Sequence, residues 1–352
     1  MRKVDLLIVG QGLAGAALAW TAHLRGLSVH LVDRGEEVTS SRVAAGLMMP
    51  ITGKRLAKSW EWDSFWPVAV AFYHSIERMT GTSCLQIGPA LRILQTEKDQ
   101  QQAQLRRSQE DYQGLLESVD RSELPSRVIS PRGAVRFPIS GRLNVPAYLD
   151  ATRQHFQSID SFSQTEFEGE RDLVVTDAGA TVARLGIVAE SAVLCRGFEG
   201  HTDSIAQKVC WNPAKGEIAT VKIPGLALDQ VVQFGHWLAP LGEEFFKLGA
   251  TFSWSAYDKR PTQEGWNELE LRLRSLTSLP YELVTQTAAV RPTICDFRPA
   301  IGWDKRQPCL GLLNGLGTKG SLMAPRLAQI LLDARRGLVP LPRGMDFQRW
   351  SR

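Results

Sequence analysis

A glycine-rich turn between an apolar strand and a helix constrains the fold of this chain most strongly. Gly10, Gly12 and Gly15 directly follow the apolar segment Val4–Val9. The first glycine allows a tight turn, the second lets the backbone approach a pyrophosphate, and the third lets helix and strand pack closely. Asp33 follows Gly10 by 23 residues, near the spacing of about 20 typical of an acid that binds ribose hydroxyls. The pattern predicts a dinucleotide site, with NAD and FAD both open.

Length and composition predict a two-domain protein of ordinary globular type. The 352 residues exceed what one core usually holds, and the net charge of +4 is too small to indicate nucleic-acid binding. No apolar stretch approaches the roughly 20 residues that span a bilayer, so we expect a soluble protein. The six histidines show no ligand spacing, and no metal site is predicted. The five cysteines form no CxxC pair, which favours reduced thiols and a cytoplasmic location.

The order of predicted elements indicates a parallel sheet with an antiparallel insertion. Helical spacing predicts helices over 13–26, near 66–79 and within 97–120. Residues 211–290 change to short alternating strands. We therefore expect an antiparallel sheet inserted into a nucleotide-binding domain.

A second glycine-rich turn lies near the end of the chain. A short apolar strand, Cys309–Leu313, is followed by the glycine-rich segment 314–321 and by a helix to about Arg336, with Ser321 as its expected N-cap. Such a turn offers N–H donors to negative charge at a helix N-terminus. The alternative is that these glycines only form a helix-entry loop.

Several segments, taken in chain order, carry a resemblance to a known family. They are the turn at 10–15, Gly141-Arg142-Leu143-Asn144-Val145-Pro146, Ala192-Val193-Leu194-Cys195-Arg196-Gly197, His236-Trp237-Leu238-Ala239-Pro240, Lys247-Leu248-Gly249-Ala250-Thr251 and Val290-Arg291-Pro292. In this order the chain resembles the flavoprotein superfamily of D-amino acid oxidase, glycine oxidase and monomeric sarcosine oxidase.

The resemblance implies an α/β fold and non-covalent FAD. A Rossmann-like parallel sheet of the glutathione-reductase type would bind FAD, and an antiparallel-sheet α+β domain would hold the substrate. The expected FAD-binding domain is 1–80, 140–210 and 290–352, and the expected substrate domain is 81–139 and 211–289. The expected FAD-binding residues are Gly10, Gly12, Leu13, Ala14, Gly15, Asp33, Arg34, Ser41, Arg42, Ala44, Ala45, Gly46, Gly197, Gly315, Gly317, Thr318, Lys319, Gly320 and Ser321.

The resemblance also implies three residues on the substrate side. Arg291 would bind a substrate carboxylate, because its planar guanidinium makes two parallel hydrogen bonds; the alternative is a structural ion pair with Asp296. Lys247 resembles a lysine that speeds the reaction with oxygen in sarcosine oxidase; the alternative is a solvated lysine on an edge strand. Trp237 matches an aromatic residue on the substrate side, although such residues are more often core. Cys295 directly precedes Asp296, unlike the flavin-linked cysteine of sarcosine oxidases, so covalent flavin is not expected.

Three functions remain open at this level. The first is oxidation of a small amine or amino acid at its α C–N bond, with hydride transfer to FAD and O₂ as the acceptor that yields H₂O₂. The second is the same oxidation on a carboxymethylaminomethyl-uridine of tRNA, because the tail glycine turn resembles that of a bacterial tRNA-modifying enzyme. The third is a dehydrogenase that passes electrons to a quinone or carrier protein. The sequence predicts neither substrate stereochemistry nor oligomeric state.

Overall fold

The computed structural model describes residues 1–350, apart from the side chain of Glu170. The α-helices of this part are α1 (Leu13–Leu24), α2 (Ser40–Val43), α3 (Trp62–Thr80), α4 (Glu97–Arg107), α5 (Val145–Ser158), α6 (Gln263–Leu276) and α7 (Gly320–Arg335). Its strands are β1 (Arg2–Val9), β2 (Val29–Asp33), β3 (Leu47–Met48), β4 (Ile51–Thr52), β5 (Ala57–Lys58), β6 (Leu85–Ile93), β7 (Glu117–Val119), β8 (Ala134–Leu143), β9 (Phe162–Gln164), β10 (Val174–Thr176), β11 (Gly179–Val182), β12 (Ile187–Leu194), β13 (Ala214–Lys222), β14 (Val231–Gln233), β15 (Trp237–Gly242), β16 (Phe245–Gly249), β17 (Glu282–Arg291), β18 (Ala300–Trp303) and β19 (Leu310–Asn314).

The first sheet has the parallel arrangement that the N-terminal glycine turn predicts. Strands β9, β2, β1, β12 and β19 lie side by side and all run parallel. Strand β18 pairs antiparallel with β19, and β10 and β11 extend the sheet beside β12. Helices α1 and α7 pack against each other over one face. Leu7 and Ile8 of β1 are fully buried on opposite faces, so the sheet has a core on each side.

The second sheet confirms the predicted antiparallel insertion and enlarges it. Its strand order is β17-β13-β16-β15-β14-β6-β8-β3, with β7 beside β8. All its pairs are antiparallel except β14 with β6. Helix α6 covers one face through Leu269, Leu273 and Leu276, which are fully buried. The second sheet also takes strands from 47–48 and 85–143; the domain limits given above stay a prediction.

Two expectations about local structure are wrong. The N-cap of α7 is Lys319, and Ser321 lies inside the first turn of the helix. Cys210 and Cys295, 85 residues apart, form a disulfide, whereas Cys84, Cys195 and Cys309 are buried free thiols. Disulfides persist in oxidising compartments, so this bond removes part of the basis for the expected cytoplasmic location, which stays a prediction. No helix within residues 1–350 is long and apolar enough to cross a membrane.

Candidate active site

One cavity runs along both glycine turns and one face of the second sheet. Its volume is about 580 Å³, within the range of small-molecule and cofactor sites. The first sheet contributes the turn after β1 and the ends of β2 and β12, and α7 contributes its N-terminus. The second sheet contributes side chains from β6, β13, β14, β15 and β17. The cavity therefore joins the two predicted halves of the site.

The turn after β1 has the close packing that a backbone cradle for a pyrophosphate requires. A Cβ on Gly12 would lie 2.9 Å from Ser41 Oγ, which accepts a hydrogen bond from the Leu13 N–H at 3.1 Å. A Cβ on Gly15 would lie 1.8 Å from the Gly10 carbonyl oxygen. Gly10 and Gly12 line the cavity, but Gly15 does not. Gly15 thus brings helix and strand together, and Gly12 keeps the backbone accessible at the positive end of α1.

The predicted acid lies on the cavity wall with both carboxylate oxygens held by backbone groups. Asp33 Oδ2 accepts the Gln11 N–H and Oδ1 accepts the Gly35 N–H, each at 2.7 Å. Arg34 beside it forms ion pairs with Glu36 and Glu199. These bonds fix the carboxylate at the end of β2, where ribose hydroxyls would bind.

Most of the other predicted cofactor residues also line this cavity, and one does not. Those on the wall are Leu13, Ala14, Arg34, Ser41, Arg42, Ala44, Ala45, Gly46, Gly197, Gly317, Thr318, Lys319, Gly320 and Ser321. Gly315 is off the wall, because its Cα packs on Ile294, whose Cδ1 would lie 2.1 Å from an added Cβ. Arg42 is held by Asp150 through a 2.7 Å ion pair.

The tail turn places a half-buried cation, Lys319, at the cavity. Lys319 Nζ donates a hydrogen bond to Ser59 Oγ at 3.2 Å, and burial lowers its pKa. Tyr73 on α3 donates to the Ser321 carbonyl oxygen at 2.7 Å, which ties the first turn of α7 to the core. The lysine charge and the free N–H groups of the helix start make this end of the cavity suitable for a group that becomes negative.

Arg291 faces the cavity from the end of β17. Its guanidinium carbon lies 4.2 Å from the ring centre of Phe252, and Nη1 donates to the Thr251 carbonyl oxygen at 3.2 Å. A Cβ on Gly216 would lie 2.1 Å from Nη2, so only glycine leaves room for this side chain. Burial lowers the pKa of Arg291 to about 10, so it remains charged at neutral pH. The expected alternative partner, Asp296, forms an ion pair with Arg349 instead.

Trp237 lines the cavity, whereas Lys247 does not. The Trp237 ring covers Gly249, since a Cβ there would lie 2.4 Å from ring atom Cζ2. Lys247 lies two residues before Gly249 on the same face of β16, which is an interior strand between β13 and β15. The edge-strand alternative is therefore wrong. Burial and the nearby charge of Arg142 lower the pKa of Lys247.

The sequence-based prediction missed two polar residues on the cavity wall. Arg92 on β6 is 7% exposed and Gln233 on β14 is 9% exposed, and the two lie opposite each other in the β6–β14 pair. Burial lowers the pKa of Arg92, and Asp99 opposes this electrostatically. An arginine in the otherwise apolar segment Ala90–Ile93 was the only signal for this role. Its meaning depends on strand pairing that the local sequence does not reveal.

Comparison with known proteins gives one family match over nearly the whole chain. The family model described as "FAD dependent oxidoreductase" (DAO) matches residues 5–334. Glycine oxidase of Pseudomonas aeruginosa is 24% identical over 364 residues, covering 96% of each chain. The tRNA 5-methylaminomethyl-2-thiouridine biosynthesis bifunctional protein MnmC of Caulobacter vibrioides is 26% identical over 356 residues, covering 97% of this chain but 56% of that protein. This chain thus spans about half the length of the bifunctional relatives.

A solved structure supports the same fold. The crystal structure of glycine oxidase from Geobacillus kaustophilus superimposes with a TM-score of 0.82 at 19% identity, covering 100% of this chain and 98% of that one. The similarity extends to both sheets, so the inserted antiparallel sheet is part of the shared architecture.

Proposed function

Since the chain belongs to the DAO family of FAD-dependent oxidoreductases, we propose that it oxidises the α C–N bond of a small amine or amino acid that carries a carboxylate. The observation that supports this most is Arg291, a half-buried cation on the cavity wall with no acidic partner among residues 1–350. A guanidinium in this setting binds a carboxylate well, because both hydrogen bonds are charge-assisted and the half-buried position shields them in part from water.

FAD fits the residues that line the remainder of the cavity. The Gly10–Gly12 turn and the α1 N-terminus suit a pyrophosphate, and Asp33 suits the ribose hydroxyls. Cys295 is bonded to Cys210, so its thiol is not free to link a flavin. When bound, FAD would accept two electrons and the α-hydrogen from the substrate.

The residues of this chain bind, orient and shield the substrate. Arg291 would hold the carboxylate and so fix the α-carbon. The Phe252 ring, which contacts Arg291, and the Trp237 ring also line the cavity. Lys319 and the start of α7 would stabilise negative charge on the cofactor. The amine loses two electrons and two protons to become an imine, and water hydrolyses the imine to a carbonyl compound and a free amine.

Oxygen is the proposed final acceptor. O₂ would take up the two electrons and two protons as H₂O₂. Lys247 and Arg142 are half-buried cations, and Lys247 lies on the sheet face that carries Trp237. Positive charge stabilises the anionic species formed when O₂ is reduced. Lys247 would act through this field, since it does not line the cavity.

A second candidate function is oxidation of a carboxymethylamino group on a tRNA uridine. It is favoured by the match to the bifunctional tRNA-modifying relative over 97% of this chain. Lys54 and Arg55 are exposed in the hairpin turn between β4 and β5, and Lys54 lines the cavity. Exposed cations beside the cavity suit a phosphate backbone.

The experiment is anaerobic mixing of the purified, FAD-loaded protein with a panel of amines. We expect glycine, N-methylglycine or another carboxymethyl amine to reduce the flavin and bleach its absorbance at about 450 nm. Amines without a carboxylate should reduce the flavin far more slowly. A protein that cannot be loaded with FAD, or one that no carboxylated amine reduces, would contradict the proposal. If only modified tRNA reduces the flavin, the second candidate replaces the first.

A further inference from the structure

We infer that the cavity holds a second anion-binding position, formed by Arg92, for a substrate with two separate anionic groups. This inference rests on the proposed function, because it concerns the substrate of the same site. The substrate class is an N-carboxymethyl amine whose other nitrogen substituent ends in a carboxylate or a phosphate. Arg291 would bind the carboxylate next to the reacting carbon, and Arg92 would bind the distant anion.

Arg92 is buried without a partner in the part of the chain that the structure describes. It is 7% exposed, it lines the cavity, and its Nε makes no hydrogen bond. The acid that acts on it electrostatically is Asp99. Asp99 Oδ2 already accepts the backbone N–H groups of Gln95 and Thr96, each at 3.1 Å. An arginine stays protonated in proteins, and a buried charge is stable only when an opposite charge or hydrogen bonds compensate it. A bound anion would supply both.

Strand pairing shows that Arg92 shares a surface with the substrate wall. Arg92 is paired with Gln233 on β14, and Gln233 is paired with Trp237 on β15. Directly opposite residues on neighbouring strands project from the same face of a sheet. All three line the cavity. A ligand that contacts Trp237 can therefore extend along Gln233 to Arg92.

The two arginines are too far apart to bind one small carboxylate together. The Arg291 guanidinium lies over Gly216 on β13, and Arg92 is on β6, four inter-strand steps away in the order β13-β16-β15-β14-β6. At about 4.8 Å per step, the path along the sheet from Gly216 to Arg92 is roughly 19 Å, more than one arginine side chain can reach. Two anions of one substrate must therefore be separated by several bonds. Glycine is too short to use both positions.

The cavity is open and cationic at the Arg92 end. Thr52, Gly53 and Lys54 of the turn between β4 and β5 line the cavity, and Ile51 and Leu56 beside this turn pack in one core cluster with Ala90, two residues before Arg92 on β6. Gly235, two residues after Gln233, also lines the cavity. Gly53, Lys54 and Gly235 are exposed, so a long substituent can leave the cavity between these two turns. The charge of Lys54 favours an anionic substituent over a cationic one.

The test uses carboxymethyl thioethers, in which sulfur replaces the amine nitrogen and prevents oxidation to an imine. Tails of several lengths end in a carboxylate, a phosphate monoester or an uncharged hydroxyl. Calorimetric titration of the FAD-loaded protein should show that an anionic tail of suitable length binds about tenfold to a hundredfold tighter than its hydroxyl counterpart. Comparison of the two anionic tails identifies which anion the position prefers, and a preference for either supports the inference.

Variants assign the preference to Arg92. Arg92→Gln should abolish it, and Arg92→Lys should keep part of it, because the charge remains without the planar fork. Arg136→Gln is the matched control: Arg136 lies on the neighbouring strand β8, pairs with Glu123 at 2.8 Å and does not line the cavity. It removes the same charge and should leave the preference intact.

The outcomes separate this inference from the proposed function. Equal binding of all tails at every length, or a preference that survives Arg92→Gln, overturns the inference. If that result comes with flavin reduction by short carboxymethyl amines, the proposed function stands alone. An Arg92-dependent anion preference supports the second position even if no amine in the panel reduces the flavin, in which case the proposed function fails instead.

Discussion

Arg349 holds the carboxylate of Asp296 through two hydrogen bonds of 2.9 Å, from Nε to Oδ2 and from Nη2 to Oδ1. Asp296 was the expected alternative partner of Arg291, and its carboxylate is bound by Arg349 instead. Arg291 is left on the cavity wall with the Phe252 ring and a single backbone carbonyl as its contacts. Its charge is therefore free to bind a ligand.

Arg291→Gln should lower kcat/KM for carboxylated amines about a hundredfold or more, because a buried charge-assisted pair with the substrate is lost. Steady-state kinetics with a carboxylated amine and its methyl ester measures the effect, since the ester should be little affected. Arg349→Gln is the control, because it removes a similar cation that contacts Asp296 outside the cavity. Unchanged turnover of the carboxylated amine by Arg291→Gln would exclude the carboxylate-binding role.

Gly12→Ala should weaken FAD binding about tenfold or more, because the added methyl group occupies the surface that the pyrophosphate approaches. The Cβ meets only the Ser41 side chain, with Oγ at 2.9 Å and Cβ at 3.8 Å, so a small shift of this side chain should let the fold tolerate it. Titration of apoprotein with FAD, followed by flavin fluorescence, measures the affinity. Gly88→Ala on β6 is the control, because a Cβ added there would have no other atom within 4 Å. Equal FAD affinity of the two variants would contradict the assignment.

The two glycine turns and the sheet classes could be predicted because their signals are local. Glycine spacing, strand periodicity and an acid at the end of β2 all lie within short windows of sequence. The same motif does not reveal which glycine faces a ligand. Gly12 lines the cavity, whereas Gly15 packs on Gly10, and this follows only from how helix and strand meet.

Arg92 and the disulfide could not be predicted because both depend on distant pairing. Arg92 reaches the cavity wall because β6 pairs in parallel with β14, about 140 residues later in the chain. Cys210 and Cys295 meet because Trp211 bridges to Ile294 beside them. Odd cysteine number and scattered spacing favoured free thiols, but neither signal reports which residues become neighbours.

His30 should reduce stability in acid. It is 5% exposed, and its Nε2 lies 2.8 Å from Ser163 Oγ. Burial and the charge of Arg2 lower its pKa from 6.5 to about 4, partly opposed by Asp160. As the pH falls, the unfolded state therefore takes up a proton on His30 before the folded state does. The free energy of unfolding keeps its full value above pH 6.5 and decreases as the pH falls towards 4. The full loss is about 3 kcal/mol.

Urea denaturation across this pH range tests the role of His30. His30→Gln keeps a hydrogen-bonding group but does not titrate, so its free energy of unfolding should change less between pH 6.5 and 4 than that of the wild type. His74→Gln is the control, because His74 is on the surface of α3, where it pairs with Glu77. The same acid dependence in wild type and His30→Gln would contradict the prediction.

Lys247→Met should slow reoxidation of the reduced enzyme by O₂ about tenfold or more, because a half-buried positive charge is lost near the cavity. Reduction by the amine should change much less, since Lys247 does not line the wall. Stopped-flow measurement of the two half-reactions separates these effects. Lys222→Met on β13 is the control, because its Nζ lies over the Phe245 ring, away from the cavity. Equal reoxidation rates in both variants would exclude the oxygen role.

Cys210 and Cys295 should be recovered as a disulfide from the native protein. Protein denatured without reductant and treated with an alkylating reagent should carry three labels, on Cys84, Cys195 and Cys309, and five labels after reduction. In the chain-entropy model, a bond that closes a loop of this length contributes about 4.6 kcal/mol. Replacement of Cys210 and Cys295 by serine should cost a similar free energy of unfolding. Reductant should destabilise the wild type by the same amount and leave the double variant unchanged, whereas five labels without reduction would show that the pair is not bonded.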